Sequence, residues 1–148
     1  SSDRATYTAS AMNNRTHQPM RVLVVDDDPL AIEIYWRDLP PDRFEIITAA
    51  NGLEALEVLQ TEHVDLLACD VVMPCLDGLS LVTRVRSMPN LQNIPVLMAS
   101  AYTADPTRIA CLKAGADEFI TKPVRTSSLP PLIELLVMRR HGAAQGAI

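Results

Sequence analysis

Five short runs rich in branched apolar residues recur along the chain, at 22–25, 44–48, 65–69, 95–99 and 118–121, and a stretch with helical spacing follows each one. Runs this short suit strands rather than helices, and a continuous apolar run reads as a strand buried on both faces. Parallel strands need a long crossover, usually a helix. The strict alternation therefore confines the chain to an α/β fold with a parallel sheet and right-handed connections.

The helical stretches carry their own punctuation. Asp28-Pro29 supplies an N-cap and a first helical residue, with Leu30, Ala31 and Ile34 on one face, and Leu39-Pro40-Pro41-Asp42 ends that helix. Asn51 caps the second, with Glu54 three residues on and Leu53, Leu56 and Leu59 along one side. Leu79, Val82 and Val85 mark the third. Asp105-Pro106 repeats the cap-plus-proline start, leads to Ile109 and Leu112, and Gly115 stops the helix. Residues 129–138 form the last, with Pro130-Pro131 tolerable only in its first turn.

At 148 residues the chain suits one domain with a full core. Residues 1–19 are polar and aperiodic and read as a disordered leader or cloning remnant, 20–140 as the domain, and 141–148 as a flexible Gly/Ala-rich tail. The net charge of −5 and the lack of a basic stripe argue against a nucleic-acid contact. Arg139-Arg140-His141 reads instead as a complement to a helix C-terminus. No apolar run is long enough for a bilayer, and the first 19 residues lack the apolar centre of a secretory signal. Cys69, Cys75 and Cys111 have no metal-ligand spacing, and an odd count fits a reducing compartment, so a cytoplasmic location is expected. Cys69 reads as buried packing.

In a parallel sheet all strands end at one edge, where open α/β proteins bind ligands. The first run delivers Asp26, Asp27 and Asp28, the third Asp70, the fourth Ser100, and the fifth Lys122 followed by Pro123. Adjacent carboxylates resist ionising together, a conflict that a bound cation removes, and hard oxygen ligands suit Mg²⁺. A carboxylate can also attack a phosphoryl group, provided cations and donors meet the phosphoryl oxygens. On this reading Asp27 and Asp70 ligate Mg²⁺ directly and Asp26 acts through water. Lys122 pairs with Asp70 and then with a phosphoryl oxygen, while Ser100 donates its hydroxyl to another. Asp28 is set aside as the helix cap.

These residues, with Val71-Val72-Met73-Pro74, Asp77-Gly78, Met98-Ala99-Ser100-Ala101 and the run Gly115 to Pro123, make the chain resemble the response-regulator receiver domains of two-component signalling. The resemblance covers about residues 20–140. It implies a flavodoxin-like (βα)5 three-layer fold with strand order 2-1-3-4-5. It also implies that Asp70 is the phosphoacceptor, served by a partner histidine kinase or phosphotransfer protein. The backbone carbonyl of Val72 becomes a further Mg²⁺ ligand, and Lys122–Pro123 is expected to be cis. Such a domain is a switch rather than an enzyme, controlling a downstream output domain or protein. A homodimer is possible by the same likeness.

The resemblance also suggests how the switch works. Ser100 moves toward the phosphoryl group, and Phe119, three positions before the lysine, turns inward into the space left. The face made by the fourth helix, fifth strand and fifth helix is thereby remodelled. Val72 and Tyr102, two positions beyond Asp70 and Ser100, occupy places that tune hydrolysis. Val72 cannot orient a water and Tyr102 can screen the phosphoryl group, so a long-lived phosphoform is expected. Cys75 stands where the family commonly has glycine. Two alternatives share some of these residues. A haloacid-dehalogenase-type phosphatase also uses an Asp-x-Asp after its first strand, but it needs an acidic pair after the lysine, where this chain has only Glu134. The other is a receiver-like module that binds partners without phosphorylation.

Overall fold

A computed structural model of the chain describes residues 18–102, 104–124 and 128–146. Most of the expected leader, residues 1–17, lies outside them. Ten elements alternate: β1 (Met20–Val25), α1 (Pro29–Asp38), β2 (Phe44–Ala49), α2 (Gly52–Thr61), β3 (Leu66–Asp70), α3 (Gly78–Ser87), β4 (Val96–Ser100), α4 (Asp105–Ala114), β5 (Glu118–Thr121) and α5 (Leu129–Gly146). All strand pairings are parallel, in the order β2-β1-β3-β4-β5. This is the flavodoxin-like order that the alternation of runs and the resemblance together imply.

Both faces of the sheet are covered, which is why its central strands are apolar without a break. Leu23, Val25, Leu67, Cys69, Val96 and Met98 meet Ala55, Leu56 and Leu59 of α2, Leu81, Val82 and Val85 of α3, and Cys111 of α4. Val22, Val24, Leu66, Ala68, Leu97 and Ala99 meet Tyr35 of α1 and Leu129, Ile133, Leu136 and Val137 of α5. Two helices thus lie on one face and three on the other. Removing one buried leucine side chain from such a layer, as in Leu97→Ala, costs about 2–5 kcal/mol.

Helix starts follow the sequence cues with one exception. Asp28 accepts from the Leu30 amide at 3.0 Å, and Asn51 accepts from the Glu54 amide at 2.9 Å. α4 begins one residue early: Ala104 is its N-cap and makes no side-chain cap bond, while Asp105 sits in the first turn, where its charge still favours the helix dipole. Gly115 ends α4 at φ 117°, the left-handed conformation that suits glycine.

Three other expectations are corrected. α5 continues past residue 140 to Gly146, so the expected tail is helical over most of its length; Ala143-Ala144-Gln145 are favourable helix formers. The inward face of α1 centres on Tyr35, while Leu30 is 71% exposed. Ile109 and Leu112 of α4 are likewise exposed, and Cys111 is the residue that α4 buries.

Candidate functional site

The site is assembled by strand register. Val25 lies beside Cys69 in the β1–β3 pair, so the residues that follow, Asp26 and Asp70, leave the sheet side by side. The Asp26 amide donates to Ala49 O at 3.1 Å, prolonging the β1–β2 pairing by one step. One carboxylate oxygen from each of Asp26, Asp27 and Asp70 falls within 4.8 Å of the other two. Asp26 is 4% exposed, Asp27 is exposed, and Asp70 lies between. Three hard oxygen donors at this spacing fit a divalent cation such as Mg²⁺.

Both oxygens of the buried acid are already engaged. Its Oδ1 accepts from the Asp28 amide at 2.9 Å and its Oδ2 from Lys122 Nζ at 2.5 Å. Lys122 Nζ also lies 3.1 Å from Asp70 Oδ2. Sequence reasoning paired Lys122 with Asp70 alone, and the nearer contact is with Asp26. Burial pushes the Asp26 carboxyl above the ordinary aspartate value, against the pull of the Lys122 and Asp28 hydrogen bonds. Burial alone would lower the Lys122 ammonium, but its bonds to Asp26 and Asp70 outweigh this and hold it above the ordinary lysine value. A favourable pair should lower its acid as it raises its base, and here only the base follows. The difference is solvation, since the Asp26 side chain is 4% exposed and that of Lys122 19%. The 2.5 Å contact and the raised ammonium together identify a charged pair.

Ser100 ends β4 with no exposed surface. Its Oγ accepts from the Tyr102 amide at 3.0 Å, and its carbonyl accepts from the Lys122 amide at 2.9 Å. The hydroxyl proton is thus left to donate, and the ends of β4 and β5 are tied together. The Lys122–Pro123 peptide is cis. Val72 and Tyr102 are both exposed, at 54% and 62%. Asp28 sits on the α1 cap, outside the acid cluster.

Phe119 differs from the sequence expectation. Its ring is 4% exposed and belongs to the core beneath α4, so the inward position is the one it already occupies. Without a hydroxyl to hydrate, a phenylalanine gains from this burial.

Sequence reasoning named Gly78 only within a motif and missed Gly52, and the structure gives both a steric reason. A Cβ on Gly78 would lie 2.0 Å from the Asp70 carbonyl oxygen, and one on Gly52 would lie 2.3 Å from that of Leu76. The signal was available: glycine at the first residue of a helix, where alanine is the better helix former. Glu134, the acid a phosphatase reading needs after Lys122, instead pairs with Arg43 at 2.5 Å.

A family model, the response regulator receiver domain, matches residues 22–134. The chain belongs to this family. Receiver domains of this kind are phosphoacceptor signalling domains rather than conventional enzymes, and in response regulators they are phosphorylated by histidine kinases and regulate output domains. Among curated relatives, "Transcriptional regulatory protein PrrA" of Mycobacterium tuberculosis is 40% identical over 124 residues, covering 84% of this chain and 52% of PrrA. This receiver therefore spans about half the length of that relative. An uncharacterised 14.6 kDa protein of Leptolyngbya boryana is 38% identical over 81% of this chain and 92% of its own. Among solved structures, a putative response regulator from Chloroflexus aurantiacus superposes with a TM-score of 0.78 at 33% identity, covering 82% of this chain and 99% of that one. The receiver domain of the sensor histidine kinase PA1611 from Pseudomonas aeruginosa shares the fold, with a TM-score of 0.74 at 22% identity over 81% of this chain and 98% of its own. It was solved with a magnesium ion coordinated in its active site cleft.

Proposed function

We propose that this receiver is switched by phosphoryl transfer to Asp70. A carboxylate oxygen of Asp70 attacks the phosphorus of a phosphohistidine on a partner kinase or phosphotransfer protein. The P–N bond breaks, the imidazole leaves with the electron pair, and it is reprotonated by solvent. The result is an acyl phosphate on Asp70. The single observation that carries this reading is the ion pair of Lys122 with both Asp26 and Asp70 beside the buried Ser100. A cation and a hydroxyl donor stand ready where phosphoryl oxygens would arrive.

Mg²⁺ would be held by Asp27, Asp70 and the Val72 carbonyl, with Asp26 acting through water, and when bound it neutralises the phosphoryl oxygens. That Asp26 already binds Lys122 and the Asp28 amide supports its indirect role. Lys122 shifts its bond from Asp70 to a phosphoryl oxygen, and Ser100 donates its hydroxyl to another. The Tyr102 amide on Ser100 Oγ then carries the movement into the segment before α4. With Phe119 packed inward from the start, the face of α4, β5 and α5 changes through that segment and through relaxation around the ring. This face would meet the output domain, the partner protein or a second copy of the chain.

Among the described residues no helix is long and apolar enough to cross a membrane, and action in the cytoplasm beside a kinase fits this reading. Val72 offers no group to orient an attacking water and the exposed Tyr102 can screen the phosphoryl group, which favours a phosphoform lasting minutes or longer.

Intact mass after incubation with MgCl2 and acetyl phosphate tests the proposal. One added phosphoryl group is expected in the wild type and none in Asp70→Asn. An equal gain in both, or none in the wild type, would overturn it. Loss of the phosphoryl group within seconds would sink the lifetime claim alone.

A further inference from the structure

Two backbone hydrogen bonds flank the turn between β2 and α2 and run in different directions. On one side the Asp26 amide donates to Ala49 O at 3.1 Å, and on the other the Gly52 amide donates to Leu76 O at 3.1 Å. In the order β2-β1-β3, this turn belongs to the edge strand yet reaches past the end of β1 to the loop after β3. The first bond anchors the strand end that carries Asp26 and Asp27. The second anchors the loop that begins at Asp70 and contains Val72. The turn itself is braced, since Asn51 accepts from the Glu54 amide at 2.9 Å and Glu54 accepts from the Ala50 amide at 3.2 Å.

The contact leaves no room for a side chain. A Cβ on Gly52 would lie 2.3 Å from Leu76 O and 2.7 Å from Leu76 Cβ, atoms that no rotamer change can move away. The loop has little freedom to retreat. Met73 is buried in the core, and the Gly78 amide holds Val71 O at 2.9 Å. The Leu76 amide closes on Pro74 O at 2.8 Å, around Cys75 at φ 69°. This closes a three-residue turn that ties Leu76 directly to the part of the loop nearer Val72. Pushing Leu76 outward therefore shifts the backbone back toward Val72 and Asp70.

We propose that Gly52 is a positioning residue for the divalent-cation site. The β2–α2 turn sets the span between Asp26-Asp27 and the Asp70–Val72 segment, and Gly52 tunes Mg²⁺ affinity without touching the ion. The proposal rests on the reading that these residues hold Mg²⁺. Supporting groups around a metal site typically change affinity by about 10- to 100-fold when altered.

The test is a MgCl2 titration of the whole chain, read by calorimetry and by the fluorescence of Trp36. That residue is the single tryptophan, and it borders the same cavity as Asp26 and Asp27. Gly52→Ala should weaken Mg²⁺ binding by about tenfold or more. It should raise the Mg²⁺ concentration for half-maximal phosphoryl uptake in parallel, while uptake at saturating Mg²⁺ stays within about threefold of the wild type. Gly142→Ala, at a glycine with nothing within 4 Å, should change neither. A folded Gly52→Ala that binds Mg²⁺ like the wild type overturns the proposal. Should Gly52→Ala fail to fold, Asn51→Ala decides: it loosens the turn without changing charge, and at least about threefold weaker binding supports the proposal where unchanged binding overturns it. A wild type that takes up a phosphoryl group but binds no Mg²⁺ overturns the metal reading, and this proposal with it, while leaving Asp70 as acceptor.

Discussion

Lys122 Nζ stands closer to Asp26 Oδ2, at 2.5 Å, than to Asp70 Oδ2, at 3.1 Å. The lysine therefore fills part of the role of a cation in the acid cluster. Its stronger grip is on the acid that would serve only indirectly, so Asp70 is the easier partner to release.

Replacing this ammonium should expose the repulsion among the acids. Lys122→Met is expected to lose about 2 kcal/mol of stability in the absence of divalent ions, because the 4%-exposed Asp26 is left buried without its partner. Added MgCl2 should recover much of the loss by binding the folded form, and Mg²⁺ should bind several-fold more tightly than in the wild type. Urea unfolding with and without MgCl2 measures both effects. A variant as stable as the wild type without Mg²⁺ would contradict the assignment.

Cys75 adopts φ 69°, a conformation with a penalty for any side chain but open to glycine. Cys75→Gly should therefore stabilise the domain by about 1 kcal/mol, seen as a higher urea midpoint at unchanged slope. The resemblance that makes glycine common at this position thus has a backbone reason.

The same residue is the exposed thiol, whereas Cys69 and Cys111 are buried. At pH 8 the native protein should consume one equivalent of a thiol reagent, at Cys75, and three after unfolding. More than one rapid equivalent in the folded state would show that the core opens readily.

Stability should also decline in alkali. Burial pushes the Cys69 and Cys111 thiols above their ordinary 9.0, and the Tyr35 hydroxyl above its ordinary 10.0. A folded-state value above the unfolded one means that the unfolded chain gives up its proton first as pH rises. The stabilisation is complete below about pH 9 and is lost progressively above it, by up to about 1.4 kcal/mol per pH unit for each group. Urea unfolding at pH 8, 9.5 and 10.5 should show the fall, and Cys69→Ala should make it shallower.

Far from the acids, Arg86 bonds Gly115 O at 3.0 and 2.8 Å, Ile94 O at 2.6 Å and Gln92 O at 2.9 Å, and pairs with Asp117 at 3.1 Å. Asp117 in turn accepts from the Val96 amide and from Arg140 of α5. One guanidinium thus joins α3, the loop before β4 and the end of α4 and, through Asp117, β4 and α5. Arg86→Met should destabilise by about 3 kcal/mol while leaving Mg²⁺ affinity within about twofold. Thermal unfolding and a MgCl2 titration on one sample check the two halves.

Much of this was legible in the sequence because strand ends are legible. Asp26, Asp27, Asp70, Ser100 and Lys122 each stand at or just past an apolar run, and a parallel sheet sends such positions to one edge. What was not legible depends on distances between elements. The preference of Lys122 for Asp26, the contact of Gly52 with Leu76 and the reach of Arg86 all join residues far apart in the chain, with no periodic pattern to announce them. One residue of the α1 face was misplaced for a related reason: Ala31 and Ile34 are partly buried as expected, but Leu30 and Tyr35 both fit a helical stripe, and only the packing of α5 chooses between them. Phe119 was expected to move inward, yet in a core that accepts its ring it has nothing to gain outside.

The side-by-side pairing of Val25 with Cys69 has a last consequence. Successive strand residues alternate faces, so a one-residue slip of β1 against β3 would exchange Asp26 for Asp27 beside Asp70 and turn the valines of β1 to the wrong layer. The three acids gather only in the native alignment. Any cation they bind would therefore stabilise the native alignment over a slipped one, tying a single-residue register to the charge at the sheet edge.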